Sequence, residues 1–329
     1  MRLNIQLSIG ICLLLALSVA GCRKELRTDN GLSGNYDATN GNSEEEKNAS
    51  VKAIGGPYSD WSGKVSVVLV SKDVGPGDLV QGDVAVPDDY VLVGGGAYNY
   101  QGEPGSFLTA SYPGSDLKTW YIESKGRPGV TPYYLACYAI GLKIQGISSA
   151  QLKDYIKLVS ATSGVASKPS ASASLTGTGY TLIGGGAKVN WSGAGNFLTD
   201  SHPFGTENAW YVASKDHITS APASITAYAI GILKDIPNFG SLDIGSDIAT
   251  LVPQCLSVNE GSVEAKIPQG WVLTCPGGAA RYRQYGRMII GMYPSMSFSS
   301  SSALLKTGSS QQWDCGESTV YAMRIQKTK

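Results

Sequence analysis

Two stretches decide the fold: YVLVGGGA at 90–97 and YTLIGGGA at 180–187. The likeness continues through FLTASYP (107–113) and FLTDSHP (197–203), WYIESK (120–125) and WYVASK (210–215), and YAIG at 138–141 and 228–231, always displaced by 90 residues. Aligned without a gap, 90–141 and 180–231 share 21 of 52 positions. A constant displacement of this kind marks a repeat architecture. A weaker third copy follows as WVLTCPGGA from Trp271, MIIGMYP from Met288, Trp313 and VYAM from Val320. Its landmarks lie 181 to 193 residues beyond those of the first copy, which implies insertions, among them the serine run Ser299 to Ser302.

The residues between these landmarks read as short strands. The 329-residue chain holds 41 Gly and 18 Tyr and only 16% charged residues, and it lacks long apolar spacing at three and four. Turn chemistry at short intervals with β-branched and aromatic runs between predicts an all-β body. In the second unit the expected strands are 156–161, 170–175, 180–190, 197–201, 209–215 and 225–233, about six per unit. Alternation places Trp210, Val212 and Ser214 on one face and Tyr211, Ala213 and Lys215 on the other, with the Trp face toward the core. The first copy places Trp120, Ile122 and Ser124 likewise.

The amino end has a different character. One charge at Arg2, an apolar run from Ile9 to Leu17, and then Val19-Ala20-Gly21-Cys22 have the form of a secretory signal. The run is too short to span ~30 Å of hydrocarbon at 1.5 Å per residue. The small residues ending on cysteine resemble the lipobox of bacterial lipoproteins. That resemblance implies cleavage after residue 21, lipid attachment at Cys22, and a cell-envelope location, with Arg23 in place of Asp pointing to the outer membrane. The membrane is then a partner through the lipid anchor. Residues 22–50, with Glu44-Glu45-Glu46 and several Asn and Gly, are too polar to bury a core and read as a tether reaching about 30 Å. The folded body is expected over 51–329, with units at about 65–141, 155–231 and 246–325.

Several kinds of chemistry are disfavoured by composition. The chain carries 26 basic and 26 acidic residues without a basic stripe, which argues against nucleic acid as a partner. No cofactor motif is present, and without a close cysteine pair no metal site is expected. Of the cysteines left after the signal and the anchor, Cys137 is expected to stay reduced. Cys275 with Cys315 is the preferred disulfide, and Cys255 with Cys275 is the alternative, since spacing does not determine connectivity. His202 and His217 occur only in the second unit. Asp200 and His202 share a strand face, the one hint of catalysis, but Ser201 and Ser214 recur as Ser111 and Ser124 in a unit without histidine, which suits a structural role. No catalytic residue is therefore assigned. The glycine triplets precede no helix, so they mark bulges or close backbone approach and not a phosphate cradle.

Binding groups are expected in the connection after each glycine strand. The first offers Tyr98, Asn99, Tyr100 and Gln101, the second Asn190 and Trp191, the third Arg281, Tyr282, Arg283 and Tyr285. Aromatic rings beside amides or guanidinium groups suit the apolar faces and vicinal hydroxyls of sugars, and loops on a rigid scaffold are where such groups collect. The segments between units contain Ile144, Ile147, Leu152, Ile236, Phe239 and Leu242, which suits packing onto one body. The three-unit glycine-rich pattern loosely resembles β-prism domains, some of which bind carbohydrate. That implies pseudo-threefold packing in one domain; the alternative is three tandem β-sandwich-like units. The function expected is a non-catalytic surface lipoprotein that recognises a glycan or a cell-surface protein. A structural spacer is the alternative.

Overall fold

The computed structural model describes residues 52–100, 105–126, 132–251, 261–282, 286–297, 299–309 and 316–329. After a leading strand β1 (Lys52–Ser59), the first unit forms β2 (Val65–Gly77), β3 (Leu79–Ala85), β4 (Val91–Tyr100), β5 (Ser106–Pro113), β6 (Thr119–Gly126) and β7 (Tyr133–Ile144). A six-residue helix α1 (Ser149–Asp154) follows, opened by a capping box between Ser148 and Gln151. The second unit forms β8 (Ile156–Thr162), β9 (Ser170–Ser174), β10 (Tyr180–Asn190), β11 (Asn196–Pro203), β12 (Ala209–Asp216) and β13 (Ser224–Leu233). These lie within two residues of the strands expected from sequence. A short β14 (Asp235–Ile236) leads into β15 (Gly240–Leu251), β16 (Gly261–Lys266), β17 (Val272–Arg281), β18 (Met288–Met296), β19 (Ser301–Gly308) and β20 (Glu317–Lys327). The protein is all-β, and no helix among the described residues is long and apolar enough to cross a membrane.

Three sheets result, and none belongs to a single unit. Their strand orders are β1-β2-β7-β4-β18-β19-β16, then β3-β6-β5-β10-β13-β8, then β14-β15-β20-β17-β11-β12-β9. Each unit gives three strands to one sheet and three to another. The joints are brief antiparallel contacts between the glycine strand of one unit and, in its neighbour, the strand that directly follows the glycine strand: Ala97 with Met292, Ala187 with Ser111, and Gly278 with Ser201. Tandem sandwiches would keep each unit's strands to themselves, so that alternative does not describe this body. The connecting segments are buried with it, Ile144, Leu152, Ile236 and Leu242 all being core residues.

The glycine strands explain why the units can join. β4, β10 and β17 each carry a bulge at the same place, between Leu92 and Gly94, Leu182 and Gly184, and Leu273 and Cys275. There the three backbones nearly touch. A Cβ on Gly94 would lie 2.1 Å from the Thr274 carbonyl oxygen, and one on Gly184 would lie 2.3 Å from that of Val93. The Thr274 hydroxyl donates to the Ile183 carbonyl at 2.6 Å. Cys275 occupies the third equivalent position, and its thiol fills the space the two glycines leave, 3.4 Å from the Gly185 carbonyl. Cys275 is thus a free, fully buried thiol, a correction to the expected Cys275 bridge; Cys255 and Cys315 lie outside the described residues. Cys137 is also a free and buried thiol.

One position further on, glycine makes room for tryptophan. A Cβ on Gly95 or Gly185 would lie 2.4 Å from the Trp120 or Trp210 ring. Both rings are completely buried, and each indole N–H donates at 3.0 Å to a serine, Ser111 or Ser201. The third unit exchanges the sizes. Trp120 pairs with Pro113 and Trp210 with Pro203, but Ala303 pairs with Pro294, and Pro276 stands where the other units have Gly95 and Gly185. The third counterpart of the tryptophans is therefore Ala303 and not Trp313, and the serine run opens β19 instead of interrupting the unit.

Gly184→Ala is expected to destabilise the protein by at least about 2 kcal/mol through overpacking. Gly164→Ala, with open space around its Cβ, should stay within about 0.5 kcal/mol; urea unfolding of the two variants measures the contrast. Burial pushes the Cys275 thiol up to about 12 from its ordinary 9.0. The folded state therefore disfavours the thiolate, so this contribution to stability is intact below about pH 9 and falls as pH rises toward 12. Neither Cys137 nor Cys275 should react with a thiol reagent at pH 8 until denaturant is added.

Candidate functional site

The aromatic residues expected to form one loop site are divided among the joints. Tyr98 and Tyr100 lie on β4, half-buried on the outer face of the first sheet, with centroids 6.3 Å apart. The Lys306 ammonium lies 4.3 Å from the Tyr98 centroid. Asn99, between them, points inward. It is 4% exposed, and its amide donates to the carbonyls of Ser106 at 3.3 Å and Ile290 at 3.1 Å. This side chain ties the first unit to the third and is withdrawn from any ligand, which corrects its expected binding role. Asn190 is exposed and donates to Ser224 and Thr226 hydroxyls.

Trp191 lies on the first unit, where its indole N–H donates to Glu123 at 2.5 Å and the Lys125 ammonium lies 4.2 Å from its ring. Glu123 also accepts from Thr109 at 2.6 Å and from Gln81. Tyr282 lies between Lys168 and Lys215, 5.4 and 5.0 Å from its centroid. Arg281 is exposed, opposite Glu317 in the sheet register. Gln101, Arg283, Tyr285 and Cys22 lie outside the described residues. The strands that begin after these connections do converge: Phe107, Phe197, Met288 and Ile290 form an apolar cluster, with the phenylalanine centroids 5.5 Å apart. Tyr98 packs against this cluster, and the rings of Tyr98, Trp191 and Tyr282 each meet a lysine of a neighbouring unit, whereas Tyr100 stacks on Tyr98 and Tyr134.

Aromatic clusters, whose assembly was not foreseen from sequence, mark the outer face of each joint. On the second sheet Tyr112 stacks between Tyr228 at 5.1 Å and Tyr121 at 5.5 Å. On the third, His202 stands between Tyr321 at 4.7 Å and Tyr211 at 5.5 Å. On the first, Tyr293 lies between Tyr98 at 4.8 Å and Tyr138 at 5.9 Å. The last glycine of each triplet allows this. Gly186 pairs with Tyr228, and a Cβ on it would meet the Tyr112 Cα at 2.7 Å; Gly96 lies in the same way by Tyr138 and Tyr293. Rings from strands on either side of a glycine strand, about 9.6 Å apart by ordinary spacing, lean over the bare backbone and touch. Burial raises the phenol pKa of Tyr138, Tyr228 and Tyr321 above the ordinary range, so these rings stay neutral.

The third-sheet joint contains the Asp200 and His202 pair. Their side chains approach to 3.7 Å, and His202 Nδ1 lies 2.8 Å from the Pro203 carbonyl oxygen. Ser201 faces the opposite way, into the core, where its hydroxyl serves Trp210. His217 is buried beside Phe107 and Phe197, 5.9 and 6.3 Å from their centroids. Among the described residues no group of three His, Cys, Asp or Glu could hold a metal ion.

Open depressions occur on the second-sheet joint. One of about 310 Å³ is lined by Gln81, Asp83, Tyr112, Tyr121, Glu123 and Lys188. Another of about 540 Å³ adjoins Tyr112, Gly114, Asp116, Tyr121 and Tyr228. Lys188 borders both, 5.4 Å from the Tyr112 centroid. Shallow clefts that combine aromatic rings with carboxylate, amide and ammonium groups can hold a ligand having both apolar faces and hydroxyls. The signal for this face lay in the repeat itself: Tyr121 and Tyr211 alternate outward opposite the core tryptophans. No protein-family model matches the chain, and no curated protein sequence matches it.

The two asparagines after the glycine strands should separate in stability measurements. Asn99→Ala leaves buried carbonyls without their donor and is expected to cost about 1–3 kcal/mol. Asn190→Ala, at an exposed site, should cost within about 0.5 kcal/mol.

Proposed function

We propose that this chain is a non-catalytic surface lipoprotein that binds glycans on the outer faces of its sheets. Acylation at Cys22 anchors it in the cell envelope, at the outer membrane, and residues 22–50 hold the body away from the bilayer. The cyclic pairing of corresponding strands from three units supports a β-prism-like body with pseudo-threefold order. Such a body is rigid, so its surface groups need little ordering when a ligand arrives. The single observation that carries the reading is the open aromatic joint of the second sheet, where Tyr121 is 39% exposed beside Lys188, Asp116 and Gln81. Tyr98 and Tyr100 extend the corresponding joint on the first sheet.

A spacer is the second reading, favoured by Trp191 and Tyr282, whose rings lie against lysines of the chain's own strands. The full chain, displayed on cells, separates the two. The glycan reading expects binding to a neutral-glycan array that Tyr112→Ala weakens at least tenfold, with Cys22→Ser releasing the protein from the membrane fraction. Absence of binding to any glycan, with a specific protein recovered from the same cells, would favour the spacer.

A further inference from the structure

Two copies of one corner differ by a ring. In the second unit Pro203 is followed by Phe204, whose ring lies against Tyr211 with centroids 5.3 Å apart and planes 22° from parallel. The first unit has Gly114 at the same step after Pro113 and keeps the tyrosine, as Tyr121. The two corners have the same backbone bonding. Gly114 N–H donates to the Thr119 carbonyl at 2.7 Å, and Phe204 N–H to that of Ala209 at 2.9 Å. Tyr211 therefore has His202 on one side and Phe204 on the other, whereas Tyr121 has Tyr112 on one side. Among the described residues no ring of this chain occupies the Phe204 position beside Tyr121, and the depression of about 540 Å³ opens there. The third unit has Ser295 and Leu304 at these two places, so the uncovered tyrosine belongs to the first unit.

We propose that the uncovered side of Tyr121 is a subsite for one neutral pyranose ring of a glycan, with Phe204 marking on the second unit the place such a ring takes. The assignment rests on the glycan reading above and locates it. A pyranose has an apolar C–H face that suits the electron-rich face of a phenol, and hydroxyls at its edge that need donors and acceptors. Lys188 supplies an ammonium donor, Ser115 a hydroxyl, and Asp116 a fixed acceptor. Asp116 is held by the N–H groups of Lys118 at 3.0 Å and Thr119 at 3.1 Å and by the Thr119 hydroxyl at 2.8 Å. Burial opposes its charge, but these hydrogen bonds together with the nearby Lys153 ammonium outweigh burial and keep the carboxyl below the ordinary range, so it accepts and does not donate at neutral pH. One cation and one anion in the same depression favour an uncharged sugar over an acidic or amino sugar. A protein aromatic would offer these polar groups no hydrogen-bond partner.

Calorimetric titration of the full chain with neutral hexasaccharides of glucose, mannose, galactose and N-acetylglucosamine tests the site. The expected result is one bound sugar chain per protein, weakened at least tenfold by Gly114→Phe and by Tyr121→Ala. Phe204→Gly should add a second, weaker site, because Ala279 stands where Lys188 stands in the sheet register. A Cβ at Gly114 meets Asp116 at 2.8 Å and Tyr121 at 2.9 Å, so thermal melting checks that Gly114→Phe folds; Tyr121→Ala adds no bulk and stands if it does not. Sugar binding unchanged in both variants overturns the subsite and leaves the glycan reading in place. Failure of the wild type to bind any of the sugars overturns both, and saturation by N-acetyltryptophanamide in place of sugar overturns the ligand class.

Discussion

The body depends on a contact between three backbones. At the bulges of β4, β10 and β17, residues 94, 184 and 275 come so close that two of the three positions can hold no side chain. Cys275 supplies the small volume that remains, and hydrogen bonds from Thr274 and from its own thiol link the third unit to the second. Interiors are packed as densely as organic crystals, so a single methyl group here has nowhere to go. With that contact made, each glycine strand can join a sheet on either side, one side within its own unit and the other with its neighbour.

The same triplets shape the outer surface. Their middle residues accept Trp120 and Trp210 from inside, and their last residues let outward aromatics from flanking strands meet over bare backbone. Core packing and surface chemistry are thus coupled through alternate residues of one strand, as the pleat requires. The coupling places the aromatic clusters at the joints between units. Each cluster therefore mixes side chains from two units, and substitution in either one changes it. Gly114 and Phe204 show the result: a single difference in one unit leaves a tyrosine uncovered on a scaffold that is otherwise repeated.

Much of the fold was legible in the chain. Alternation in WYVASK assigned Trp210 and Val212 to the core, where both are completely buried. The glycines were read as points of close approach, which they are. The third unit was harder because Trp gives way to Ala303 and Gly to Pro276 together. Compensating changes in volume preserve packing while erasing the motif used to find it. The binding groups were sought in the connections because loops usually carry them. Asn99 shows why that failed at one position: a polar residue beside a turn can serve a buried carbonyl of another unit as readily as a solvent-facing ligand.

Local spacing by itself determined the strands, their inward faces and the places needing glycine, because alternation and steric room are properties of neighbouring residues. Only the tertiary structure decided which units share a sheet, that Cys275 is a packing thiol, and that Tyr112, Tyr121 and Tyr228 meet. Those outcomes join residues as much as 195 positions apart, as Ala97 and Met292 are, through backbone contact between units, and no local period in the chain records such a contact.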